Sequence, residues 1–151
     1  MAYHSLRTMN LVDLAESIAR KAHEGLFRRD GVTSYITHPE RVVARLMAQG
    51  VTDERILAIA WLHDVLEDTD TDIEELKYNR LPMSVIQSVD ILTKEEGQHY
   101  PHYLFGINND SFARTVKIAD ILDNLSDAPT EKQIIKYAKA LLYLHDQTQI
   151  P

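Results

Sequence analysis

Apolar residues recur along most of the chain at intervals of three and four, the spacing of one helix face. Leu11, Leu14, Ala15, Ile18 and Ala22 form the first such stripe, with Asn10 placed to cap it and Gly25 near its end. Arg28-Arg29-Asp30-Gly31 predicts a polar turn. Pro39 suits the first turn of a second helix, which carries Val42, Val43, Leu46 and Met47 and stops at Gly50. A third starts from Thr52 or Asp53 and runs through Ile56, Ile59 and Ala60 into Trp61-Leu62-His63-Asp64-Val65-Leu66-Glu67-Asp68. Thr71-Asp72-Ile73-Glu74 has the form of a capping box opening a short helix. Pro82 opens another, through Val85, Ile86, Val89 and Leu92. The segment from Glu95 to Pro101 has no period and is expected to be a mobile loop. Helix resumes around Tyr103 or Asn109, with Phe112, Val116 and Ala119 on one stripe and Asp120, Asn124 and Asp127 on the next, until Pro129. Ile134, Ala138, Leu141 and Leu142 mark a last helix, and only Val32 to Thr37 has strand character. The pattern predicts an all-α bundle of about six to eight helices.

Composition narrows the function. The 151 residues suit one domain, read as spanning 1–151. There is no cysteine, so disulfide frameworks, zinc ribbons and thiol nucleophiles are excluded. A formal net charge of -7 argues against nucleic-acid binding through the phosphate backbone. The N-terminus lacks the layout of a signal peptide and no apolar run is long enough for a bilayer. A cytoplasmic protein with a small-molecule partner is expected; a protein partner cannot be read from the sequence.

The chemistry concentrates in the His63-Asp64-Val65-Leu66-Glu67-Asp68 stretch. On a helix, His63 lies over Glu67 and Asp64 over Asp68, at the end of an apolar face. Imidazole and carboxylates at a core edge are costly unless paired or bound to a metal. His38 before Pro39, and Asp120 inside Val116-Lys117-Ile118-Ala119-Asp120-Ile121-Leu122, are two more polar groups at unexpected helix positions. Singly, each also fits a hydrogen-bonded or solvated residue. Two imidazoles with two carboxylates suit a divalent ion such as Mn, Fe or Zn.

The order His…His-Asp…Asp resembles the HD-domain metal phosphohydrolases. Ala22-His23-Glu24-Gly25, Tyr35-Ile36-Thr37-His38-Pro39, His63-Asp64-Val65-Leu66-Glu67-Asp68-Thr69, Leu92-Thr93-Lys94, Val116-Lys117-Ile118-Ala119-Asp120 with Asn124, and Lys136-Tyr137 are similar, in order, to the hydrolase domain of the RelA/SpoT homologues and its small stand-alone relatives. The resemblance implies an all-α HD-domain enzyme that removes the 3′-pyrophosphate of (p)ppGpp with Mn²⁺. It implies His38, His63, Asp64 and Asp120 as ligands, with Fe, Co or Zn as other candidate ions. Glu67 and Asp68 match the pair that positions or deprotonates water. Arg28, Arg29, Asn124, Tyr137 and Lys94 match substrate-binding positions, and Lys117 falls near them. His23 matches a family position that is not a ligand and is read as structural.

The sequence departs from that pattern at Leu26, Ile121 and Asp123, which stand where the family has Gln, Arg or Lys, and an aromatic residue or His. Those positions fall where the family reads the nucleotide, so ppApp, NADPH or nucleoside monophosphates remain alternative substrates. A non-catalytic bundle that binds a nucleotide or protein partner is the second alternative. The chain stops soon after its last helix, so no synthetase or regulatory domain is expected.

Overall fold

The structure, a computed structural model, describes residues 8–146; the start of the segment read for a signal peptide lies outside them. The described residues form nine helices: α1 (Leu11–Ala22), α2 (Thr37–Ala48), α3 (Glu54–Leu62), α4 (Val65–Asp68), α5 (Ile73–Tyr78), α6 (Met83–Leu92), α7 (Tyr100–Asn108), α8 (Ser111–Leu125) and α9 (Glu131–His145). The all-α expectation holds, with the single turn of α4 counted separately. The strand-like run survives only as one antiparallel bridge between Phe27 and Ser34, which folds the α1–α2 connection back on itself.

Local chemistry fixes most boundaries. Each helix N-terminus leaves backbone N–H groups without an intrahelical partner, and short polar side chains accept from them. Asn10 accepts from Asp13 N at 2.8 Å. Asp53, rather than Thr52, caps α3 through Arg55 N. Asp72, rather than Thr71, caps α5 through Glu75 N at 2.9 Å. Asp110 caps α8, and Thr130 with Gln133 forms a reciprocal capping box on α9. Pro101 sits in the first turn of α7, so helix begins inside the segment read as irregular. Gly50 ends α2 with φ at 87°, a left-handed conformation that a side chain would strain.

α3 is the centre of the bundle. Leu57, Ala58, Ile59, Ala60, Trp61 and Leu62 are all buried, so this helix has no solvent face over its second half. It packs against α1, α2, α6 and α8. Anything attached to its C-terminal end is therefore delivered into the middle of the protein.

The last helix corrects one expectation. Its buried residues are Ala140 and Leu144, with Tyr137 and Leu141 partly covered. Ile134 and Leu142, which the apolar pattern assigned to the core, are 47% and 73% exposed. Two stripes compete on α9, and the one beginning at Tyr137 is the one that meets α7 and α8.

Candidate metal centre and the cleft around it

α3 ends one residue before His63, and α4 begins one residue after Asp64. The two residues form a break between helices rather than the continuous turn that the sequence pattern predicts, although Asp68 N still reaches Asp64 O at 3.0 Å. His63 Nδ1 donates to the carbonyl of Ala60 at 2.6 Å, because a carbonyl oxygen can only accept. That contact aims Nε2 inward. His38 enters from the first turn of α2, and Asp120 from the middle of α8.

Their atoms converge. His38 Nε2 lies 3.2 Å from His63 Nε2 and 2.9 Å from Asp120 Oδ1. His63 Nε2 lies 3.1 Å from Asp64 Oδ2 and 3.4 Å from Asp120 Oδ1, and His38 Nε2 is 3.5 Å from Asp64 Oδ2. Donor atoms bound at about 2.1 Å to one ion are spaced at roughly 3.0 Å for right-angle geometry and roughly 3.4 Å for tetrahedral geometry. The observed spacings lie in that range. His38, His63 and Asp120 are buried, and Asp64 nearly so. The four residues fit a divalent ion with nitrogen and oxygen ligands.

The electrostatics agree. Burial pulls both imidazoles down, but Asp120 and Asp123 outweigh it at His38, and Asp64 and Asp120 at His63, so both lie above the usual histidine range. Burial pushes Asp64 and Asp120 up, yet His63 at the first, and Lys117 with His38 at the second, hold them below the carboxylate range. Two nitrogens and two carboxylate oxygens facing one point need a positive charge there. Protonated rings provide it in the metal-free protein, and a metal ion provides it otherwise.

Glu67 and Asp68 project from α4 on the open side. Glu67 accepts from the backbone N–H of Lys94 at 2.8 Å. The Tyr35 hydroxyl lies 2.7 Å from Asp64 Oδ2 and 2.9 Å from Asp68 Oδ2, tying the outer acid to the inner one. Burial, with Asp64 nearby, pushes both Glu67 and Asp68 above the usual carboxylate range. Tyr35 stacks on His23, whose ring nitrogens are buried without a hydrogen-bond partner among the described residues. Burial holds the His23 imidazole below its ordinary range, which fits the structural role expected of it.

The positions matched to substrate binding are arranged unevenly. Arg28 donates to Asp127 Oδ2 at 2.8 Å and to Asn124 Oδ1 at 3.4 Å, and lies over the Tyr35 ring. Asn124 in turn donates to Asp120 Oδ1 at 3.1 Å, so it touches a candidate ligand directly. Arg29 is exposed and reaches only the Asp127 carbonyl, at 3.4 Å. Tyr137 is half-buried under Lys136, whose ammonium also sits 4.2 Å from the Tyr100 ring centre. Lys94 meets Glu67 through its backbone; its ammonium reaches only the Glu95 carbonyl, at 3.5 Å. Lys117 is paired with Asp120 Oδ2 at 2.8 Å and supports the centre from behind.

Two of the three departures from the family pattern lie inside the protein. Ile121 is fully buried in the core and cannot read a nucleotide. Asp123 is fully buried too, and accepts from His38 Nδ1 at 2.7 Å and from Arg41 Nε at 2.9 Å. The available signal was a matched spacing: His38 and Arg41 are one turn apart on α2, as Asp120 and Asp123 are on α8. Lys136, quoted beside Tyr137 in the sequence but given no role there, stands near the site. Burial lowers its pKa, and the charges of Lys117, Lys94 and Lys132 lower it further, which marks a local cluster of positive charge in an acidic protein.

Comparison with known proteins fits this geometry. No family model matches the chain. Human MESH1, named a guanosine-3′,5′-bis(diphosphate) 3′-pyrophosphohydrolase, is 33% identical over 129 residues, which span 78% of this chain and 68% of the relative. The chain belongs to the MESH1 family. Other proteins with that pyrophosphohydrolase name, from Aquifex aeolicus and Haemophilus influenzae, are 34% and 36% identical, and the chain spans 17% of the length of each. The MESH1-family fold is matched directly by a solved metazoan orthologue of SpoT, described as hydrolysing ppGpp and playing a role in starvation responses. It has a TM-score of 0.77 at 27% identity, and the match covers 98% of this chain and 90% of that one. Among the described residues of this MESH1-family chain, no helix is long and apolar enough to cross a membrane.

Proposed function

We propose that this chain, acting as one HD-type domain, hydrolyses the 3′-pyrophosphate of (p)ppGpp-like nucleotides with a divalent ion, Mn²⁺, held by His38, His63, Asp64 and Asp120. The observation that carries it is the cluster of His38, His63 and Asp120, with Asp64 Oδ2 within 3.5 Å of both imidazole Nε2 atoms and Glu67 and Asp68 one turn further on. When bound, the ion supplies a Lewis acid for phosphate oxygens and lowers the pKa of water.

The chain's own residues do the rest. Glu67 and Asp68 orient the attacking water and take its proton; raised carboxyl pKa values make them better matched bases near neutrality. Water oxygen bonds to the phosphorus on the ribose 3′ oxygen, the P–O3′ bond breaks, pyrophosphate leaves, and the 3′ oxygen takes up a proton. The positive cluster of Lys94, Lys117 and Lys136, with Arg28 and Arg29, attracts the anionic substrate. Asn124 contacts the sugar side, and Tyr137 lines the nucleoside.

The burial of Ile121 and Asp123 supports a (p)ppGpp-like substrate over a different nucleotide, while Leu26, the third departure, is 37% exposed. The working site is that of a cytoplasmic enzyme with a small-molecule nucleotide substrate and no nucleic-acid partner. The test is a substrate panel with Mn²⁺ or EDTA: ppGpp, ppApp, NADPH and a nucleoside 5′-monophosphate. Metal-dependent pyrophosphate release from ppGpp is expected, with the 5′-monophosphate inert. No metal-dependent release from any of the four rejects the reading.

A further inference from the structure

A carboxylate buried in a protein interior is costly unless its oxygens are matched by donors. Asp123 is completely buried on α8, one turn beyond Asp120. Its oxygens divide between two partners. Oδ1 accepts from Arg41 Nε at 2.9 Å, with Arg45 Nη2 at 3.8 Å. Oδ2 accepts from Arg41 Nη2 at 3.1 Å and from His38 Nδ1 at 2.7 Å. An ionised carboxylate has no proton to donate, so the proton in the His38 contact sits on Nδ1. When the ring gives up the proton on Nε2, which faces Asp120 Oδ1 at 2.9 Å, it keeps the one on Nδ1 and presents the Nε2 lone pair to the point shared with His63, Asp64 and Asp120.

His63 reaches the same tautomer by a different route, through the Ala60 carbonyl. A carbonyl fixes a ring's orientation; a carboxylate also makes the ring a stronger electron donor. We propose that Asp123, clamped by Arg41, is a positioning residue that locks His38 in the Nδ1–H tautomer and so sets the affinity of the centre for its divalent ion. This rests on the metal reading above. It also gives a role to a position where the sequence departs from the family it resembles.

Asp123→Asn separates this role from a plain α2–α8 ion pair. Arg41 offers N–H groups to both oxygens, so the amide NH₂ must oppose an N–H donor in either orientation. With the amide oxygen facing Arg41 Nε, the NH₂ group faces His38 Nδ1 and favours a proton on Nε2, where the ion binds. The experiment uses the full chain, stripped with EDTA and dialysed. Mn²⁺ affinity is measured by competition with a fluorescent chelator, and the His38 tautomer is read at alkaline pH by long-range ¹H–¹⁵N NMR. Wild type is expected to show the proton on Nδ1, and Asp123→Asn to bind Mn²⁺ roughly 10–100-fold more weakly while keeping its helical circular dichroism. A folded variant that binds as wild type does overturns the inference alone. If the variant does not fold, the wild-type tautomer decides: a proton on Nε2 overturns the inference and a proton on Nδ1 supports it. Wild type that binds no Mn²⁺ overturns the metal reading and this inference together.

Discussion

Lys117→Met tests the electrostatics of the centre from behind, without replacing a candidate ligand. Lys117 Nζ lies 2.8 Å from Asp120 Oδ2, and the two side chains are 13% and 6% exposed. Methionine keeps most of the apolar stem and removes the charge. Breaking a buried pair by deleting one partner costs about 3–5 kcal/mol, because the remaining charge is stranded. Asp120 keeps His38 and Asn124 on its other oxygen, so the low end applies, about 3 kcal/mol. For a chain of this size that corresponds to a fall in Tm of roughly 6–12 °C. A bound divalent ion supplies positive charge at the same carboxylate, so the loss should shrink when Mn²⁺ is present. Urea and thermal unfolding of wild type and variant, each with EDTA and with Mn²⁺, measure both quantities. A variant as stable as wild type in EDTA refutes the idea that Lys117 compensates Asp120; an equal loss in both conditions refutes the idea that a metal can take over that role.

Other expectations divide the site by role. Asp64→Ala should lose metal and turnover together, whereas Glu67→Ala should keep the metal, by elemental analysis, and lose turnover; metal-free Glu67→Ala beside loaded wild type would contradict that division. Tyr35→Phe keeps the ring stack on His23 but frees Asp68, so kcat should fall about 10–100-fold, the worth of one hydrogen bond to a charged group, with KM little changed; an unchanged kcat removes Tyr35 from the mechanism. The raised imidazoles of His38 and His63 stabilise the metal-free fold fully below the unfolded histidine value, and that contribution is lost as pH rises through their folded values. Metal binding needs those rings deprotonated, so the Tm gain on adding Mn²⁺ should grow from weakly acidic to weakly alkaline pH. A gain that is flat or shrinks over that interval counts against His38 and His63 as ligands.

Much of the fold was written in local signals. Asn10 and Asp53 cap helices by contacts that span two or three residues, so their effect is visible in a short stretch of sequence. The last helix was misread because two apolar stripes share it, and only packing against α7 and α8 chooses between them. The four residues proposed for the centre stood out in the sequence because polar groups interrupt apolar runs at His63-Asp64 and Asp120, and because, with His38, their order resembles a known family. The groups that support them did not. Asp123 meets His38 across 85 positions, through a helix pair, and Tyr35, in the turn before α2, meets Asp68 across 33; no local pattern states either register. The break at His63-Asp64 was hidden for the same reason. The i, i+4 spacing reads as one helix, while the structure separates α3 from α4 there and turns both side chains inward.

The most direct measurement is the product balance from ppGpp incubated with Mn²⁺-loaded protein, carried out in ¹⁸O-water. GDP and pyrophosphate are expected in equal amounts, with one ¹⁸O in the pyrophosphate, and no reaction with EDTA or with Asp64→Ala. Unchanged ppGpp with loaded protein, or release that persists in EDTA and in Asp64→Ala, would contradict the proposed hydrolysis.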